Sequence, residues 1–267
     1  MMAVSIPVVV NQQQQKKHTA DKFSKAVVAY AEHANVQKRA ATALLKKIAN
    51  VESNHPMGEV CVDIGAGPGV NISQLKQHFA QVYAVDLSFE MLKLANNSTA
   101  SLCADMDALP LLSNSVDVIF SNFAVQWSSN LAVLLQELNR VLKQKGRVYL
   151  SCVVDGSLAE IATAFAKVDQ QSHVNSFHSV AQLKKYSAKA GFIINSCDQV
   201  CYQDAYQSPM AALRSLKAIG ATNQLGTQKR QGLLTRHALQ QVCATYPLTD
   251  KQAMVSYQVV LMELTKV

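Results

Sequence analysis

The sequence predicts a doubly wound α/β fold on a mostly parallel, seven-stranded sheet. Three observations predict it. From Val60 onward, short apolar runs alternate with amphipathic segments, the pattern of parallel strands covered by helices on both faces. The first apolar run ends in a glycine cluster, Asp63-Ile-Gly65-Ala-Gly67-Pro-Gly69. Helical patterns then fill most of the last third, between two further strand patterns.

Composition bounds what such a fold can be. The chain has 267 residues, 49% of them hydrophobic and 16% charged. It is long enough to bury a core and too apolar to be disordered. Lys and Arg number 25 against 18 Asp and Glu, so the net charge is 25 − 18 = +7. That excess is mild and spread out, unlike a nucleic-acid footprint. The six cysteines (61, 103, 152, 197, 201, 243) form no CxxC pair and no zinc spacing. Several sit in apolar runs, which predicts buried free thiols, a reducing compartment and no metal. No apolar run approaches about 18 residues, which excludes a membrane-spanning helix. No charged head precedes an apolar signal core, so a cytoplasmic location is expected.

The elements follow in order. Residues 1–17, with Gln12–Gln15 and then Lys16 and Lys17, read as a disordered tail. Residues 18–54 form a helical arm. Phe23, Val27 and Tyr30 share one helix face, and Val36, Ala40, Ala43, Leu44 and Ile48 share another. The main domain spans 55–267. Strands are expected at 60–64, 82–85, 101–104, 116–121, 147–154, 192–200 and 255–265. Helices are expected at 70–78, 89–96 (Ser88 as cap), 131–142, 158–171, 180–190, 209–219 and 235–246. Residues 201–250 read as a helical lid over the sheet.

Ligands of open α/β sheets bind at the carboxyl ends of the strands, at the switch point. The glycine loop lies there. A dinucleotide fingerprint is GxGxxG/A, whereas Gly65, Gly67 and Gly69 give GxGxG with Val70 following. Asp63 stands two residues before the first glycine. A phosphate gains little from such a carboxylate; a cation gains much, and S-adenosylmethionine carries an ammonium and a sulfonium. Asp86, about twenty residues on, can accept from a ribose diol or charge a helix N-terminus. Asp105 or Asp107 can accept from an adenine amino group, and either can serve a turn. Asn122, after the fourth strand, is expected to face the transferred group.

The run VDIGAGPG, Asp86, Asp105 and NFAVQW at 122–127 resemble the class I SAM-dependent methyltransferases, which have a Rossmann-like fold. FSKAVVAYAEHANVQ (23–37), NFAVQWSSNL (122–131), Gly156-Ser-Leu with Glu160, HVNSF (173–177) and SLKAIGA (215–221) resemble the malonyl-acyl-carrier-protein O-methyltransferase family of biotin synthesis. The similarity runs over about residues 20–265. It implies methylation of the free carboxylate of malonyl-ACP, or of malonyl-CoA. It also implies that the arm closes over the cofactor, with Tyr30 near the sulfonium and Gln37 and Arg39 near the methionyl carboxylate. Ala66, Leu87 and Met106 complete the implied cofactor set.

A carboxylate is already ionised at pH 7, so this reaction needs no general base. That agrees with the absence of a readable Ser/His/Asp or Cys/His set. For the malonyl carboxylate, Arg214 is the expected holder, with Lys217 on the same helix face as the alternative. His173 and Asn175 are candidates for the thioester end. Lys184, Lys185, Lys229, Arg230 and Arg236 are candidates to meet an acidic carrier protein. The loop after the fourth strand lacks the Pro-Pro-aromatic signature of adenine methylation, and no Pro-Cys loop for cytosine is present, so a nucleic-acid substrate is not expected. Three other readings compete: methylation of another small acid or activated carbon, a nicotinamide oxidoreductase (disfavoured by the GxGxG spacing), and a non-enzymatic binding module (disfavoured by the intact loop and Asp86).

Overall fold

The computed structural model describes residues 20–21, 24, 34–52, 58–168, 174–218 and 235–267. The expected tail, Tyr30, His173, Lys229 and Arg230 lie outside the described residues, as does the side chain of Lys217.

Among the described residues, eight strands form one sheet: β1 Val60–Ile64, β2 Gln81–Asp86, β3 Ala100–Cys103, β4 Val116–Asn122, β5 Leu142–Val153, β6 Phe192–Tyr206, β7 Leu248–Thr249 and β8 Gln252–Lys266. Their order is β3-β2-β1-β4-β5-β8-β6, with β7 paired to β8. Strands β1 to β5 pair in parallel, while β8 runs antiparallel to both β5 and β6. The chain builds outward from β1 to β3, then crosses back to β4. The carboxyl ends of β1 and β4 therefore flank the switch point.

Strand parity divides the core in two. Cys61, Val118 and Phe120 face one layer, and Val62, Ile64 and Ile119 face the other. Helix α1 (Asn35–Glu52) lies on the first face, where its expected stripe of Val36, Ala40, Leu44 and Ile48 is buried. Residues of α5 (Ala159–Ala166), α7 (Pro209–Ala218) and α8 (Arg236–Thr245) join the same face. The second face is covered by α4 (Leu131–Val141) and α6 (Val180–Lys189). Asn130 caps α4 by accepting from the Ala132 and Val133 amides, and Ser179 and Gln182 form a capping box on α6.

The structure corrects several boundaries. The helices expected at 70–78 and 89–96 shrink to α2 (Ile72–Leu75) and α3 (Phe89–Leu92). After one turn their amides switch to carbonyls three residues back, as in Gln77 N–H to Gln74 O and Leu94 N–H to Met91 O. Strand β6 runs on to Tyr206, so residues 201–206 of the expected lid belong to the sheet. Strand β7 was not expected. It makes a hairpin with β8 through Asp250 and Lys251, both at positive φ, where no glycine advertises the turn. Among the cysteines, Cys61 and Cys152 are buried as expected, but Cys103 and Cys201 are exposed.

Because α1 joins the core through Leu44, Leu44→Ala should destabilise the fold by about 2–5 kcal/mol. Urea unfolding checks this through a lower midpoint. A loss below about 1 kcal/mol would separate α1 from the cooperative core.

Candidate active site

The glycine loop leaves β1 and folds back over β2. Gly65 and Ala66 both donate their amides to the Val85 carbonyl, at 2.8 and 3.1 Å. Gly65 has φ +71°, and a Cβ there would lie 2.2 Å from the Ala124 Cβ. Backbone conformation and packing both require glycine at this point. Gly67 is different. A Cβ there would meet no protein atom within 4 Å, because this glycine opens on the cleft.

Asp86 ends β2 and bridges two turns. One carboxylate oxygen accepts from the Gly67 amide at 2.9 Å, the other from the Ser88 amide at 2.7 Å. Burial pushes its pKa up, and the Ser88, Gly67 and Leu87 amides pull against that. The carboxylate has acceptor capacity left for a ligand hydroxyl.

Between these elements lies a cleft of about 810 Å³, its solvent-open mouth included. It is lined by Gly65, Gly67, Asp86, Leu87, Asp105, Met106 and Asn122 of the expected cofactor set. A second cavity of about 390 Å³ adjoins it, lined by Gln37, Ala66, Lys38, Val70 and Asn71 among others. Gly65 and Asn122 line both. Gly69 lies behind the loop, where a Cβ would sit 2.9 Å from Ala95.

Asp63 is fully buried beneath the loop. Among the described residues, neither of its carboxylate oxygens has a hydrogen-bond partner. Burial, and then the neighbouring Asp86 charge, raise its pKa to about 8. Asp63 itself lines neither cavity, but the next two residues, Ile64 and Gly65, line the cleft, and an unpartnered carboxyl group behind them is what a nearby cationic ligand would relieve.

Asp105 and Asp107 differ in their neighbours, although the Asp105 carboxylate also accepts from the Asp107 amide at 3.0 Å, as a turn residue does. Asp107 accepts from the hydroxyls of Ser128 and Ser129 and so ties down the loop after β4. Asp105 lines the cleft. Sequence reasoning left out other lining residues, including Ala20, Met91, Phe123, Trp127 and Ser128. The one available signal was Trp127, the single tryptophan of the chain, inside a motif read only as a resemblance. Ser24 Oγ lies 2.8 Å from Ser88 Oγ, so the described part of the N-terminal arm reaches this site.

Arg39 is not brought to the cleft. It pairs with Asp204 at 2.6 Å, donates to the Gln203 carbonyl and stacks over Tyr202, tying α1 to β6. Arg214 is exposed on α7 and lines neither cavity. Asn175 is half-buried and lines neither cavity as well.

Comparison with known proteins agrees with this geometry. A family model described as a methyltransferase domain matches residues 62–150. The malonyl-[acyl-carrier protein] O-methyltransferase of Hamiltonella defensa subsp. Acyrthosiphon pisum (strain 5AT) is 32% identical over 249 residues, 92% of this chain and 93% of that protein. The chain belongs to the malonyl-[acyl-carrier protein] O-methyltransferase family. The family member from Serratia marcescens is 33% identical over 246 residues, covering 91% of this chain and 92% of its own. Among solved structures, the YcgJ protein of Bacillus subtilis superposes with a TM-score of 0.59 at 17% identity, covering 86% of this chain and 98% of its own. A geranyl diphosphate methyltransferase in complex with SAM superposes with a TM-score of 0.52 at 17% identity, covering 85% of this chain and 84% of its own. These two share the fold.

Gly65→Ala should force the loop and Ala124 apart, costing more than about 1 kcal/mol of stability. Thermal unfolding of the ligand-free protein checks this. An unchanged Tm would mean the loop has room that the packing denies.

Proposed function

We propose that this chain methylates the free carboxylate of a malonyl thioester, carried on acyl carrier protein, with S-adenosylmethionine as donor, in the biotin-synthesis route. The observation that carries the substrate is similarity along nearly the whole length to proteins named for that reaction. The cofactor has support in the site itself. Asp86 fits a ribose diol and Asp105, just after β3, fits an adenine edge, while the orphaned Asp63 carboxyl group behind the glycine loop favours a positively charged ligand group nearby.

S-adenosylmethionine, when bound, supplies an electrophilic methyl group on a sulfonium. The chain's own task is placement. The glycine loop lets backbone approach the ligand, and Gly67 keeps the cleft clear. Asp86 holds the loop and the β2–α3 turn at a fixed separation through its two amide bonds. Phe123, Ala124 and Trp127 make an apolar wall that keeps water from that side of the cleft. The malonyl carboxylate arrives ionised, so no residue need remove a proton. Alignment alone can contribute roughly 7–11 kcal/mol to such a displacement.

Three measurements test this. With labelled S-adenosylmethionine, the label should appear as a base-labile methyl ester on malonyl-ACP, less on malonyl-CoA and least on free malonate. Label on an unrelated acid and none on malonyl thioesters would favour the broader small-acid reading. Asp86→Ala removes a charged acceptor worth roughly 1.5–3 kcal/mol, so cofactor affinity should fall about 10- to 100-fold by calorimetry. Unchanged affinity would remove Asp86 from the site.

The third measurement uses Asp63. Its folded pKa of about 8 lies above the ordinary 3.8. Between those values the folded chain holds a proton that the unfolded chain has lost, so stability falls as pH rises through the window. Asp63→Asn should flatten that slope. A cationic ligand favours the ionised form, so binding near pH 7 should release a proton. Calorimetry in two buffers of different ionisation enthalpy reads this directly. No proton release in the wild type would place the ligand's charge elsewhere.

A further inference from the structure

Asn122 closes β4 at the wall shared by the two cavities and is itself buried. A residue there is well placed to touch the reacting group, but its side chain is committed at both ends. Its Nδ2 donates to the main-chain carbonyl of Gln37 on α1, at 3.1 Å. Its Oδ1 accepts from the Ser151 hydroxyl on β5, at 2.7 Å. Ser151 is fully buried and lines neither cavity. Its hydroxyl also accepts from the Phe123 amide at 3.0 Å, and its carbonyl takes the same amide at 3.1 Å. Phe123 has φ +54°, a left-handed conformation that a bulky residue adopts only when its surroundings impose it.

These contacts form one connected unit. Ser151 pins the turn at Phe123 and fixes the orientation of the Asn122 amide. That amide in turn holds the first turn of α1, where Gln37 lines the second cavity. We propose that Ser151 and Asn122 are positioning residues that seat the start of α1 against the cleft, so that the cofactor site has its α1 wall before any ligand enters. Asn122 thus acts through Gln37 rather than on the transferred methyl. This rests on the cofactor reading above for its effect on binding, but not for its effect on α1.

The experiment compares Ser151→Ala, Asn122→Ala, the double variant and Ser151→Thr, which restores a hydroxyl. Two quantities are read: amide hydrogen exchange of residues 35–41 in the ligand-free chain, and affinity for S-adenosylhomocysteine by calorimetry. Each alanine variant should speed exchange in the first turns of α1 and weaken binding by about tenfold, while exchange in β4 and β5 away from residues 122 and 151 stays protected. The double variant should be no worse than Asn122→Ala, because both act through one link. The threonine variant should recover most of both losses. Wild-type exchange and affinity in Ser151→Ala, or full additivity in the double variant, would overturn the proposal. If Asn122→Ala does not fold, Ser151→Ala and Ser151→Thr alone decide it. If the wild type binds no S-adenosylhomocysteine, the cofactor reading fails, and the exchange measurement still decides whether the link seats α1.

Discussion

The site depends on one carboxylate that bridges two backbone turns. Without Asp86, the amide of Gly67 and the amide of Ser88 would lose their acceptor. With it, the turn after β1 and the turn after β2 are held as one surface. The parallel pairing of β1 with β2 brings these turns together, and the glycine loop lets the backbone come close enough to be bridged. The rest of the cleft is assembled against that surface, with the segment after β3 supplying Asp105 and the segment after β4 supplying the apolar wall.

A second acid gives the site its electrical character. Asp63 is one strand residue away from the loop, buried and without a partner among the described residues. Keeping a carboxyl group there is unfavourable unless it is protonated or meets a cation. The fold tolerates it because the surrounding β-strands are held by apolar packing on both faces of the sheet. The local cost is spread over a large cooperative unit. In this sense the core on either side of the sheet supports the chemistry at its edge.

Much of this was legible in the sequence where chemistry is local. The glycine spacing is local, and Gly65, Gly67 and Asp86 do line the cleft; the bond from the Gly67 amide to Asp86, 19 residues on, could not be read from it. The stripe of α1 was legible because it too is local. What escaped the reading depends on distant partners. Arg39 looked free to meet a ligand because Asp204 lies 165 residues away in the chain. That Asp107 accepts from Ser128 and Ser129 could not be read either, since they lie 21 and 22 residues away. The work of Asn122 was hidden because Gln37 and Ser151 lie 85 and 29 residues away. The short helices α2 and α3 failed differently, since the apolar period continued after the hydrogen-bond ladder had tightened.

The order of the strands also governs how the chain can be made. Among the described residues, strand β6 lies at the margin of the sheet with β8 as its one sheet neighbour, a strand that follows it in the chain by some 45 residues and is inserted between β5 and β6. During synthesis β6 therefore emerges with no strand to lie against, and β5 waits with an open side. A product halted before Gln252 would not be a trimmed version of the fold. It would expose two long unpaired borders at once, the kind that recruit other chains. The helices threaded between β6 and β8 are thus also a delay in assembly.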